Sequence, residues 1–432
     1  MPTSSSKRVS SGPRLLRERG AAQGAAGPDT AARLKPRGSS QGGLRQYNER
    51  VVLHAIRLHG ALAGAELARL THLTAQTVSL ITKRLLDDGL LLKGEPVRGK
   101  VGQPAVPLSL NPDGAYAIGI KVGRRSLDVL LVDFSGDKRR RWQLDYAYAD
   151  PDLLLANIRQ RLKDIRRLLG AAAWARVQGV GIAAPLAMDG WQQLLGFPPE
   201  VAQKWRRIDL AQAVATFTTL PVELIKDTAA ACVAELVAGR GRSMKSFLYV
   251  FVDTFIGGGL VLDSHLRGGL HGNAGAIGSL PLWTAPGGRA GVAAPDQLLS
   301  VASLFNLEQA YAAAGLDAAA SADARALQAP WLAHTEHWLA HAGTAVAQSI
   351  NTAACLLDLE GVILDGSFSR ELLAALLEHT HAGLASYNWE GVFQPQLMAG
   401  TIGSDARALG GALLPLYANF APDRDLFLKA AP

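Results

Sequence analysis

The chain is short of several things, and each shortage excludes something. Two cysteines among 432 residues, Cys232 and Cys355, make neither a disulfide framework nor a cysteine-rich zinc site. Both read as small buried apolar residues in a reducing compartment. No apolar run approaches the roughly 18 residues that a spanning helix needs, so no membrane partner is expected and the cytoplasm, at the nucleoid, is the expected location. Acids are scarce at the front: residues 1–45 hold nine Lys/Arg against Glu18 and Asp29. Residues 46–110 hold eight bases against five acids, whereas the remainder holds 27 against 30. A basic front and a faintly acidic back point to a polyanion partner for the front.

What is present suggests three parts. An apolar fraction of 48% supports a globular core. Residues 1–43, rich in Ser, Gly, Ala, Pro and Arg and without apolar periodicity, read as a disordered basic arm. Periodicity begins at Tyr47, where Val51, Val52, Ile56 and Leu58 form a helical stripe. "GAELARLTHL" predicts a second helix with Leu67, Ala68 and Leu70 inward. "TAQTVSLITKRLLDDGLL" predicts a third, capped by Thr74, packed through Val78, Ile81, Leu85 and Leu86, and ended by Gly89. Two short extended pieces, "LLLKG" and "AVPLSLN", flank the basic loop "EPVRGKVGQP".

Three helices and a two-stranded wing make the winged helix-turn-helix pattern, expected over residues 44–112. Its recognition helix enters the major groove and offers polar side chains to base edges. Thr74, Gln76, Thr77, Ser79 and Lys83 would form that face, with Arg84 near phosphates and Arg98, Lys100 and Gln103 on the wing. The expected partner is double-stranded operator DNA. A homodimer, or a dimer of dimers, would read a palindrome because one head reads a half-site.

From Tyr116 the texture changes. β-branched runs such as "YAIGIKVG", "VQGVGIAAPLA" and "EGVILDG" alternate with helical stretches such as "DTAAACVAELVAG", which argues for an α/β fold. "YAIGIKVGRRSLDVLLVD" and "FLYVFVDTFIGGGLVLD" echo each other as strand, glycine-bearing turn, strand, Asp, ending at Asp133 and Asp263. The echo suggests two related lobes with a cleft between them.

These features together resemble the ROK (repressor, open reading frame, kinase) family over roughly residues 44–420. "GVGIAAPLA" resembles the family's strand into the sugar lobe. "VELIKDTAAACVAE" is similar to the segment bearing the catalytic Asp, which falls on Asp227. "TFIGGG" resembles the second phosphate loop, "GGLHGNAGAIGS" the spacing G-x-x-G-x-A-G-E-x-G-H, and "GSDARALGGALLP" the helix closing over a nucleotide's adenosine. The resemblance implies a duplicated, two-lobed actin-like or sugar-kinase-like (ribonuclease H-like) fold over residues 113–432.

The departures carry the functional expectation. Where the kinases' first phosphate loop reads D-x-G-G-T-K, this chain reads "KVGRRS". Lys121 replaces the acid, and Arg124 and Arg125 replace the second Gly and the Thr, which would hold neither a metal nor the same tight turn. Lys226 stands where the family has Asn before the catalytic Asp. Ala276 replaces the Glu, and Ser279 the His, that resemble sugar and zinc ligands. "PLWTAPGGRAGVAAPDQ" holds no cysteine, and a structural zinc needs about four N or S ligands. His334, His337 and His341 share one helix face by spacing and read as packing or solvated. The expectation is therefore a transcriptional regulator of carbohydrate-related genes, most simply a repressor, whose second half is not an enzyme. Asp227 is vestigial, and no ATP, Mg²⁺ or zinc cofactor is expected. Lys226, Asp227, Asn273, Ala276 and Ser279 are the candidate contacts for a sugar-like effector. The rivals are an active sugar kinase with a DNA-binding head and a regulator without an effector.

Overall fold

A computed structural model describes residues 41–96, 105–190, 192–282 and 296–422. The packing below concerns Arg45–Pro432, which form one unit.

Three helices come first: α1 (Gln41–His59), α2 (Gly64–Thr71) and α3 (Ala75–Asp87). The first begins before the periodicity does. Gly42 and Gly43, poor helix formers, conceal its opening turn, so residues 41–43 are helical and not part of an arm. The inward stripe of α1 is Val52, Leu53 and Ile56, with Val51 and Leu58 only half-buried. Thr74 caps α3 as expected, its hydroxyl accepting from the Thr77 amide at 3.2 Å. Val78, Ile81 and Leu85 are buried beneath α3. Three strands accompany the helices: β1 (Leu62–Ala63), β2 (Leu91–Lys93) and β3 (Pro107–Leu110), in the order β1-β3-β2. The two-residue β1, too short to show a period, is an addition to the expected pair. Arg98, Lys100 and Gln103 lie outside the described residues, as does most of the basic arm.

Two five-stranded sheets follow. The first comprises β4 (Tyr116–Val122), β5 (Ser126–Asp133), β6 (Lys138–Asp145), β7 (Val177–Ala184) and β8 (Val222–Lys226), in the order β6-β5-β4-β7-β8. The second comprises β9 (Phe247–Val252), β10 (Gly257–Leu262), β11 (His265–Arg267), β12 (Gly361–Gly366) and β13 (Gln396–Ala399), in the order β11-β10-β9-β12-β13. Each sheet begins with an antiparallel meander and adds its last two strands in parallel. The sequence echo is thus a duplicated five-strand module. β4, β9 and β12 are buried at every residue, which is why they read as unbroken apolar runs. β6, "KRRRWQLD", is an exposed edge, where charge discourages further pairing and hides the strand from a search for apolar residues.

Each module ends in a helix that packs on the other module's sheet. Helix Asp227–Ala238 leaves β8 and lies on β10: a Cβ at Gly259 would stand 2.6 Å from the Cβ of Cys232. Helix Ala406–Phe420 follows the second module and lies on β4 and β7: a Cβ at Gly119 would stand 1.9 Å from the Ala408 carbonyl, and one at Gly181 equally close to that of Gly411. The two helices also cross, with Gly410 against Ala230. The far end of helix Ala406–Phe420 reaches the front of the chain. Tyr417 meets His54 edge-on, with ring centroids 6.3 Å apart. Arg57 lies over Tyr417 at 5.8 Å and over Phe134 at 5.1 Å. One apolar cluster runs from α1–α3 through Phe134 to Leu416 and Tyr417.

The crossing makes a stability test. A Cβ at Gly410 would fall 1.7 Å from the Ala230 carbonyl oxygen, so Gly410→Ala should cost at least about 1–3 kcal/mol, the usual range for overpacking. A urea midpoint equal to that of the unmodified chain would contradict the close approach.

Candidate functional site

The cleft lies where the module ends converge. β8 delivers Lys226 and starts the helix at Asp227. The turn after β9 supplies Asp253 to Ile256, the loop after β11 supplies Asn273 to Ser279, and the loop after β7 supplies Pro185 to Ala187. They enclose a cavity of about 220 Å³, also lined by Arg124 and Arg407. All five residues proposed from sequence as effector contacts, Lys226, Asp227, Asn273, Ala276 and Ser279, line this one cavity.

The glycines of "HGNAGAIGS" have a local reason. Gly275 has φ +73°, and a Cβ there would stand 2.9 Å from the backbone of Gly259. A left-handed residue in so tight a contact must be glycine. The loop is thereby clamped to β10, and it presents Asn273 and Ser279, both exposed, to the cavity.

Buried charge organises the floor. Arg407, almost fully buried, ion-pairs with Asp253 and lies 3.9 Å from Asp227. It also donates to the Ser367 hydroxyl at 3.0 Å and stacks over Phe251 at 5.1 Å. Burial pushes the Asp253 carboxyl up, but Arg407 and then Lys121 more than reverse this, leaving it below the ordinary carboxylate range. Asp227 accepts from the Thr228 amide at 2.8 Å. Lys121 is buried and ion-paired to Asp128 at 2.9 Å, and Asp128 also pairs with Arg141 at 2.9 Å. Burial and the nearby Arg407 lower the pKa of Lys121. Asp128 lies below the usual range because Lys121 and Arg141 outweigh its burial.

The turn "KVGRRS" is a hairpin between β4 and β5, closed by the Gly123 amide, which donates to the Ser126 carbonyl at 2.9 Å. The arginines leave sideways. Arg124 donates to the carbonyls of Gly190 at 3.1 Å and Ala187 at 3.3 Å and lies over Phe255 at 5.2 Å. Arg125 ion-pairs with Glu308 and lies over Phe305 at 5.9 Å. The segment resembling the adenosine helix is pinned from below by two fully buried carboxylates. Asp365 accepts from the Gly403 amide at 2.8 Å, and Glu235 from the Ile402 amide at 2.9 Å.

Sequence reasoning missed Arg407, Asp253 and Glu308, and it expected Cys355 to be buried like Cys232, whereas Cys355 is exposed on a helix. A signal existed for Arg407: it is the one charged residue of "ARALGGALLPLYANF". His337 and His341 stack with centroids 4.4 Å apart, while His334 turns to Tyr311. Among the described residues no group of three His, Cys, Asp or Glu is placed to hold a metal ion. Residues 283–295, most of the stretch where zinc cysteines were sought, lie outside the described residues.

A second surface lies on α3. Gln76, Ser79 and Lys83 are exposed and Thr77 is half-buried. The Thr74 and Thr77 hydroxyls bond each other at 2.8 Å. Arg84 is held by Glu49 of α1 at 3.3 Å. Leu80, 55% exposed on this same face, escaped a search for polar residues.

Residues 117–417 match the sequence profile of the ROK family. The xylose repressor of Bacillus subtilis (strain 168) is 24% identical over 243 residues, covering 55% of this chain and 61% of the repressor, so the match spans less than two thirds of that relative. A crystal structure of a ROK family transcriptional regulator, described as a homologue of the E. coli Mlc protein, is similar at a TM-score of 0.62 and 21% identity, over 88% of this chain and 97% of that one. A ROK family glucokinase from Streptomyces griseus, in complex with glucose and AMPPNP, is similar at a TM-score of 0.55 and 20% identity, over 69% of this chain and 99% of that one. At these identities the likeness concerns the fold, the two-lobed α/β arrangement described above. No described helix is long and apolar enough to cross a membrane. The profile match covers well over half of the chain, and the protein belongs to the ROK family.

Proposed function

We propose that the protein is a DNA-binding transcriptional repressor whose ROK domain senses a small polyhydroxylated ligand in the cleft without phosphorylating it. The observation that carries this reading is the pairing of charge at the two turns that resemble phosphate loops. Phosphoryl transfer needs metal-holding carboxylates and phosphates cradled by backbone amides. Here Lys121 is spent on Asp128, and Asp253 on Arg407. Neither turn offers a free carboxylate to a magnesium ion, so ATP and Mg²⁺ do not fit, and the proposal includes no cofactor. The similarity to a protein named xylose repressor supports a carbohydrate-responsive role.

The front of the chain is read as a winged helix-turn-helix with α3 in the major groove. Gln76 and Ser79 would meet base edges, Leu80 a thymine methyl, and Lys83 a phosphate. A two-fold dimer would read two half-sites. Helix Ala406–Phe420 supplies the coupling. Arg407 is at its cleft end, and Tyr417, about 15 Å along the axis at 1.5 Å per residue, touches α1. A ligand that draws Asp227 or Asp253 away from Arg407 would shift the start of a helix, interrupted only by Pro415, whose other end supports the DNA-reading helices. Differential affinity for the two arrangements is all that such a response requires.

Three outcomes are expected. Lys83→Ala should weaken operator binding and lower the slope of log affinity against log salt by about one. Fluorescence anisotropy across a salt series measures both, and an unchanged slope would remove Lys83 from the phosphate contacts. A coupled ATPase assay over a sugar panel should show no turnover; turnover abolished by Asp227→Asn would establish the sugar-kinase reading instead. Arg407→Met should cost about 1–3 kcal/mol, since it leaves the partly exposed Asp253 carboxylate without its partner, and adding Asp253→Asn should recover part of the loss. A single variant as stable as the parent in urea would show that the pair does not hold the floor together.

A further inference from the structure

The cavity wall carries one more cation than anion: Arg124, Lys226 and Arg407 against Asp227 and Asp253. Two of the cations are occupied. Arg407 is paired with Asp253 and close to Asp227. Arg124 donates to two backbone carbonyls and stacks on Phe255. The ammonium of Lys226 has no hydrogen bond or ion pair among the described residues, although it is half-buried at the cavity wall. Burial lowers its pKa, with Asp227 opposing. A partly desolvated ammonium without a partner opposes folding, and an incoming anion would relieve it.

The surroundings limit that anion. With a surplus of one positive charge, a monoanion neutralises the wall. A dianion would bring its second charge towards Asp227 and Asp253, and the Arg124 and Arg407 donors that would answer a phosphate are already engaged. The remaining polar groups suit hydroxyls. The Asn273 amide and the Ser279 hydroxyl have no partner among the described residues, and both line the cavity beside Asp227. Phe255, Ile256 and Leu186 supply apolar walls.

We infer that the cleft binds a monoanionic sugar acid, an aldonate or a uronate, with its carboxylate on Lys226 and its hydroxyls on Asp227, Asn273 and Ser279. This rests on reading the cleft as the effector site. An acid of this kind is the product class of aldose oxidation or of acidic-polysaccharide breakdown.

Isothermal titration of the full chain tests it. Gluconate, xylonate, glucuronate and galacturonate are compared with glucose, xylose, galactose and glucose 6-phosphate, on the parent protein and on Lys226→Met and Lys226→Arg. At least one acid should bind roughly tenfold or more tighter than its neutral parent and than the phosphate, the worth of one charge-assisted contact. Lys226→Met should erase that preference while thermal melting stays at or above the parent value, and Lys226→Arg should keep most of it. Binding of no acid, equal or tighter binding of a neutral parent or of the phosphate, or a preference that survives Lys226→Met would each overturn the inference. Operator binding by the unliganded protein, with release by a neutral sugar, would overturn it and leave the repressor reading standing. Absence of operator binding would sink the repressor reading whatever the acids do.

Discussion

The crossing of helices Asp227–Ala238 and Ala406–Phe420 is the constraint on which the rest depends. Each helix is built by one module and packed on the sheet of the other, and they touch where Gly410 meets the Ala230 carbonyl. Because each helix is built by one module and covered by the other's sheet, the lobes cannot be understood as separate bodies that merely adjoin. The crossing also puts the start of one helix, at Asp227, near the start of the other, at Arg407, 3.9 Å between charged atoms. The cleft exists because two helix beginnings converge there.

That convergence sets the electrostatics. Four ionic groups pair two by two, Lys121 with Asp128 and Arg407 with Asp253, and of these only Asp253 keeps a substantial exposed edge. Buried pairs of this kind contribute little net stability against an apolar alternative, yet breaking one is costly. Their effect is to turn the charge of Lys121, Asp128 and Arg407 towards one another and away from the cavity's open space. What remains open to a ligand is a short set of unengaged polar groups, and Lys226 is the charged one among them.

Much of the fold was legible because it is local. Thr74 announces α3 through a cap three residues long, and β4, β9 and β12 announce themselves as apolar runs because they are covered on both faces. Of the candidate cleft residues, Asn273, Ala276 and Ser279 were placed by the spacing of a glycine loop whose backbone has no freedom at Gly275, and Lys226 and Asp227 by the segment "VELIKDTAAACVAE". What escaped was either exposed or distant in sequence. β6 is a charged edge, and β1 has two residues. Gly42 and Gly43 mask the first turn of α1. The partner of Arg407 is 154 positions away, and no periodicity relates such residues. The ties of Arg124 to Gly190 and Ala187 and of Arg125 to Glu308 join residues far apart in the chain, beyond the reach of any local pattern.

Those two arginines have a kinetic consequence. Arg124 lies on Phe255, and Arg125 reaches Glu308 and Phe305; both contacts stretch from the first module to the second. They tie the modules together beside the cleft. Any opening that parted the first module's hairpin from the second would have to break both at once, so each tie adds to the barrier that such an opening must cross.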